Sequence, residues 1–200
     1  MGVTGDDANL LAWGALLHDV GKLSVSAEIL SKNGKPTADE WEELKTHPAA
    51  ASAYLAPLRG WLGEWSKAAD EHHCRFDGAG YPTNKAGDEI SLAGRIVAVA
   101  DAYDVMTSAR SYKKAMSAEV ARKELTACAG SQFDPRVVAA MLRVGIGDLR
   151  AVAGPWGWLA NLTGSAQIPG RLAGLSSHAA AAAIVAVSSV AMASPTVNPA

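Results

Sequence analysis

Apolar residues recur at helical spacing through most of the first 145 positions, and Gly, Pro, Asn and Ser divide them into short segments. Asn9 is placed to cap a helix through Leu10, Leu11, Trp13, Leu16 and Leu17 that ends near Gly21. That helix leaves His18 and Asp19 side by side in its last turn. Residues 24–36 read as irregular and close on the turn signal Asn33-Gly34-Lys35-Pro36. Thr37 with Glu40 predicts a capping box ahead of Trp41 and Leu44. Thr46, His47 and Pro48 open a further helix running to about Leu58, with Pro48 tolerated in its first turn. A helix from Trp61 to Cys74 would put Trp61, Trp65 and Ala68 or Ala69 on one face and His72 and His73 at its C-terminal end. Residues 75–91, rich in Gly, Pro, Asn and Asp, form a loop long enough to be either functional or disordered. Leu92 to Met106 is apolar nearly all round and predicts a central buried helix. Asp101 and Asp104 in it would need a partner, a hydrogen bond or a metal. Ser117 opens a helix to about Ala129, stopped by Gly130, and Asp134-Pro135 opens a last one ending near Gly145. No strand of convincing length and no internal repeat is visible.

Composition refines this into one all-α domain with an appendage. Two hundred residues with 49% apolar content can bury one real core, and a formal net charge of -2 gives no global attraction to nucleic acid. The charge is unevenly spread: beyond residue 149 only Arg150 and Arg171 remain. Residues 148–171 therefore read as a linker. Residues 172–194 carry no formal charge and read as a transmembrane helix or a low-complexity tail. With Arg171 before that stretch and no basic residue after it, the domain would be cytoplasmic, anchored to the inner side of the membrane if the segment spans. Met1 to Asp7 lacks a basic region and the apolar run Leu10 to Leu17 is short, so no secretory leader is read. Cys74 and Cys128 are far apart and outside any CxxC motif, which suits a reducing compartment. Cys74 follows the histidine pair directly, and its ordinary reading is a small half-buried residue.

The chemistry concentrates in the histidines. Four of five fall into a pattern, His18 with Asp19, His47, and His72 with His73, while His178 stands apart without a role. Imidazole and carboxylate together are the donors that hold Zn, Mn or Fe. They converge only if the helices carrying them pack as a bundle, the usual way such sites are built from separate helices. Any one of these histidines alone would be an ordinary satisfied residue.

The segments ALLHDVGKLSVSAEILSKNGKPTADEWEELKTHP, EHHCRFDGAGYP, AGRIVAVADAYDVMTSARSYKKAMS and AGSQFDP together closely resemble the HD-GYP family, a branch of the HD metal-dependent phosphohydrolases. The resemblance implies an HD-type helical bundle over residues 8–147, followed by the hydrophobic tail, and hydrolysis of cyclic di-GMP through linear pGpG to GMP. It implies two or three divalent metal ions, Fe or Mn first and Zn as a further candidate. His18, Asp19, His47, His72, His73 and Asp101 would be the metal ligands. Asp19 and Lys22 would be catalytic, with Lys22 beside the scissile phosphate. Arg110 and Lys113 would grip substrate phosphates, a role that suits cations around an anionic transition state. Gly80, Tyr81 and Pro82 would shape a loop near the site that the family also ties to contacts with signalling proteins.

The family pattern also has a helix upstream of the His-Asp pair that supplies another ligating His and often a Glu. Here seventeen residues precede His18, and they contain neither. The domain is therefore expected to be N-terminally incomplete, with an apolar face bearing Leu11 and Trp13 left uncovered. The alternative reading is a catalytically impaired module that regulates by binding nucleotide or a partner protein.

Overall fold

A computed structural model describes residues 1–32, 34–108 and 114–146. Arg110, Lys113, the expected linker 148–171 and the uncharged stretch 172–194 lie outside the described residues. Among the described residues there is no strand, only one isolated bridge between Ala129 and Phe133, and no helix long and apolar enough to cross a membrane. The helices are α1 (Asp6–Leu17), α2 (Ala27–Leu30), α3 (Ala38–Leu44), α4 (His47–Tyr54), α5 (Arg59–Leu62), α6 (Lys67–Glu71), α7 (Leu92–Thr107), α8 (Ala118–Ala127) and α9 (Pro135–Arg143).

The organising element is α7. It is apolar on two faces because two cores meet it. Ala93, Val97 and Ala100 pack with Val3, Ala8, Leu11 and Ala15 at α1 and with Ala68 of α6. Val99, Tyr103 and Met106 pack with Ala121 and Leu125 of α8, with Phe133, and with Val137, Val138 and Met141 of α9. The spacing of three and four residues within each set puts each on its own stripe. Ser91 caps α7, its hydroxyl accepting from the Gly94 amide, and Ser117 and Asp134 cap α8 and α9 in the same way. The Thr37–Glu40 capping box is present as expected.

Several boundaries differ from the sequence expectation. The first helix starts at Asp6, after Gly5, rather than at an Asn9 cap; Asp6 and Asp7 occupy the first turn, where the helix dipole favours acids. It stops at Leu17, and the chain tightens into a 3-10 turn at Val20–Ser24. The supposedly irregular stretch contains α2, capped by Ser26. The expected Trp61–Cys74 helix is broken: α5 ends at Gly63, whose φ of 54° interrupts it, a 3-10 turn follows at Gly63–Ser66, and only then does α6 begin. Trp61 and Trp65 consequently part company. Trp65 joins the α1 core and donates its indole N–H to Asp7, whereas Trp61 meets Trp13 edge-on at 5.8 Å. Leu11 is buried, not uncovered; Trp13 remains 40% exposed.

The loop 75–91 is ordered by named bonds. The Phe76 and Asp77 amides donate to the carbonyls of Gln132 and Ser131, and Gly87 donates back to Phe76. Arg95 of α7 bridges Asp88 of the loop at 2.5 Å and Asp134 at the start of α9 at 2.8 Å. Arg136 joins both acids. Burial pushes the Asp134 carboxyl up, but the bonds from Arg136 and Arg95 outweigh it and hold it below the usual carboxylate range. Its ionised form therefore stabilises the fold above about pH 4, and that contribution is lost as pH falls through the folded value. Asp134→Ala is expected to cost about 2 kcal/mol near neutral pH. In chemical denaturation the deficit relative to wild type should shrink below about pH 4; a deficit independent of pH would sink the ion-pair account.

Candidate metal centre

The ends of three helical segments bring the imidazoles together. His18 directly follows α1, His47 opens α4, and His72 and His73 directly follow α6. Each of three rings is anchored in the same way. His18 Nδ1–H donates to the Ala15 carbonyl at 2.6 Å, His47 Nδ1–H to Leu44 at 2.6 Å, and His72 Nδ1–H to Ala68 at 3.0 Å. Those carbonyls place the proton on Nδ1 and leave a lone pair on every Nε2.

These lone pairs converge. His47 Nε2 lies 3.4 Å from His72 Nε2 and 3.2 Å from His73 Nε2. Asp19 Oδ1 lies 3.4 Å from His47 Nε2 and 3.6 Å from His72 Nε2. Donor atoms of Asp19, His47, His72 and His73 all fall within 4.8 Å of one another. Ligands about 2.1 Å from a shared ion sit roughly 3–4 Å apart, so this cluster can hold a metal ion. Two atoms fit a cation there: His18 Nε2 and Asp19 Oδ1 are buried and lack hydrogen-bond partners. Such atoms are costly unless a cation completes them.

The electrostatics agree for His47 and His73. Burial and the neighbouring His72 push His47 down to about 4, and burial with His72 and His47 pushes His73 well below its ordinary value. Both rings are therefore neutral and able to donate at neutral pH. Burial also opposes the charged forms of His18 and Asp19. Asp19 and Asp101 nevertheless raise His18, while His18, His72 and Lys22 hold Asp19 well below the carboxylate range.

Of the residues singled out from the sequence, Asp19, His47, His72 and His73 form the tight group. His18 and Asp101 flank it, with His18 Nε2 3.4 Å from Asp19 Oδ2 and 4.0 Å from Asp101 Oδ1. Lys22 sits on Asp19 Oδ2 at 2.5 Å, which turns Oδ1 towards the histidines. Tyr81 stacks on His73 with ring centroids 4.7 Å apart. A Cβ on Gly80 would overlap the backbone of residues 73–75, so only glycine lets this loop approach the histidine pair. Cys74 is buried beneath the same loop, its thiol against Tyr81 and Thr83, and both cysteines are free.

Two contributors escaped the sequence reading. Gly21 packs so closely on α4 that a Cβ would overlap the His47 carbonyl and the Ala51 amide; its spacing after the His-Asp pair was the available signal. Glu71, directly before the histidines, is buried with its carboxylate accepting from Lys85 at 2.5 Å and from the Ser91 amide at 2.7 Å. It ties the end of α6 to α7 and the loop, a long-range pairing invisible along the chain.

The sequence profile of the HD domain family matches residues 2–137. The chain belongs to the HD domain family. It is 38% identical over 155 residues to the cyclic di-GMP phosphodiesterase response regulator RpfG of Xanthomonas campestris, covering 77% of this chain and 41% of that protein. It is 41% identical over 141 residues to a cyclic di-GMP phosphodiesterase of Vibrio cholerae, covering 68% and 29%. Likeness to the 3'3'-cGAMP-specific phosphodiesterase 2 of Vibrio cholerae is 37% over 142 residues, covering 70% and 27%. The chain thus spans less than half the length of these relatives.

Gly21→Ala is expected to destabilise this HD domain by about 3 kcal/mol, because the clash is with backbone that cannot rotate away. Thermal unfolding followed by circular dichroism checks it. An unchanged midpoint would mean that the turn and α4 are not held this close.

Proposed function

We propose that this HD domain is a metal-dependent phosphodiesterase of the HD-GYP type that hydrolyses cyclic di-GMP, through linear pGpG, to GMP. The observation that carries the reading is the convergence of Asp19, His47, His72 and His73 donor atoms within 4.8 Å of one another, beside two buried polar atoms without hydrogen-bond partners. The activities for which the relatives are named support cyclic dinucleotides as the substrate class.

In this reading Asp19, His47, His72 and His73 hold metal, and His18 and Asp101 complete the ligand set. The donors suit two or three ions of Fe or Mn, with Zn as a further candidate. When bound, the ions supply water activation and charge neutralisation at phosphate oxygens. The chain's own residues do the rest. Lys22 fixes the Asp19 carboxylate and adds positive charge beside the reacting phosphate. Arg110 and Lys113 bind substrate phosphates, the Arg in bidentate fashion. His18, His47 and His72 keep their protons on Nδ1, which preserves their donor atoms. Pro82, exposed at the tip of the glycine turn, is the member of the Gly80-Tyr81-Pro82 motif open to a signalling partner. Membrane tethering through residues 172–194 rests on their uncharged sequence alone.

The test is metal analysis of the purified chain together with chromatographic detection of pGpG and GMP from cyclic di-GMP, with 3'3'-cGAMP assayed in parallel. Product should form with Mn or Fe supplied, and Asp19→Ala or His72→Ala should lower turnover more than about 100-fold. A chain that retains no metal and releases no product under either metal is not this enzyme. Metal binding without product would instead favour the regulatory module.

A further inference from the structure

The clustered histidines are not held alike. His18, His47 and His72 each give Nδ1–H to a backbone carbonyl. Among the described residues the His73 ring makes no such bond, and its hydrogen-bond contact is Nε2 to His47, while the His73 carbonyl accepts from the Tyr81 amide at 3.2 Å. An imidazole is broad and nearly two-fold about its outer torsion, so without an anchor its donor atom is not aimed. The rings of His72 and His47 also touch that of His73, tilted at 4.0 Å and edge-on at 4.9 Å, but the ring stacked along its face is that of Tyr81. Tyr81 lies almost parallel to His73, at 19° and 4.7 Å.

Tyr81 is itself backed by a third aromatic. The edge of Trp41 in α3 meets it at 6.1 Å and 79°. The last residue of α3, Leu44, is buried and supplies the carbonyl that anchors His47. One short helix therefore reaches both His47 and His73, whose Nε2 atoms are 3.2 Å apart. The helix is fixed from its outer side by its capping box, by Lys32 on Glu40 and by the Ser26 amide on Glu43. A helix held at both ends in this way can transmit a ring position instead of drifting with it.

We propose that Trp41 is a positioning residue: through Tyr81 it sets the His73 ring, so that α3 spaces the His47 and His73 donors for one ion. The proposal rests on the metal-binding reading above. It assigns Trp41 no contact with substrate or metal.

The test uses the whole chain stripped of metal by chelation and titrated with Co²⁺, read by its visible absorption. Wild type should take up cobalt. Trp41→Ala should bind it about 10–100-fold less tightly, with an altered spectrum, as removal of an orienting partner does. Trp41→Phe should restore affinity and spectrum, because a ring edge is kept. Trp61→Ala, which removes the same side chain from α5 away from the cluster, should leave both unchanged. If Trp41→Ala fails to fold, Trp41→Leu makes the same comparison, keeping apolar bulk without a ring and again binding more weakly. A folded Trp41→Ala or Trp41→Leu with wild-type affinity and spectrum overturns the proposal while leaving the metal site intact, as does failure of Trp41→Phe to restore them. A wild-type chain that takes up no cobalt removes the metal reading and the proposal with it.

Discussion

The structure depends on gathering electron pairs that repel. Imidazole lone pairs and a carboxylate oxygen face one another at 3.4 to 3.6 Å without protons between all of them. In a buried setting this is unfavourable unless a cation is shared. The fold sustains it because His18, His47 and His72 are each tied through Nδ1 to their own segment of chain, so those rings cannot turn away. The helix ends can meet only because Gly21 lets the turn after α1 lie against the start of α4.

The remaining architecture holds those ends in place. Between two cores, α7 packs α1 and α6 on one face and α8 and α9 on the other. Glu71 fastens the end of α6 to the beginning of α7. The loop 75–91 is long but not free: its backbone is bonded to residues 131 and 132, and Arg95 and Arg136 tie it to α9 through Asp88 and Asp134. A loop held in this way can present Tyr81 to His73 as a fixed surface.

Local signals in the chain were reliable where the physics is local. The Thr37–Glu40 box, the Ser117 and Asp134 caps and the two-faced apolar pattern of α7 were all readable, because a cap or a stripe involves residues within one or two turns. Boundaries failed where tertiary contact overrode propensity. Trp61–Cys74 has the periodicity of one helix, yet Gly63 turns the chain so that Trp65 enters the α1 core and Trp61 does not. Helix α1 runs earlier than its best capping residue because Val3 and Ala8 are buried against α7.

The same division runs through the site. Residue types and their order along the chain determined that this is an HD domain with imidazole and carboxylate donors, since those donors can be recognised one at a time. Tertiary structure decided which donors share a point: Asp19, His47, His72 and His73 closely, with His18 and Asp101 at the margin. It also decided that Tyr81 belongs to the ring of His73 and that Trp41 stands behind it. The reason is geometric. Distances between donors are set by how helix ends pack, and packing is settled by close approaches and ring contacts between residues far apart in the chain.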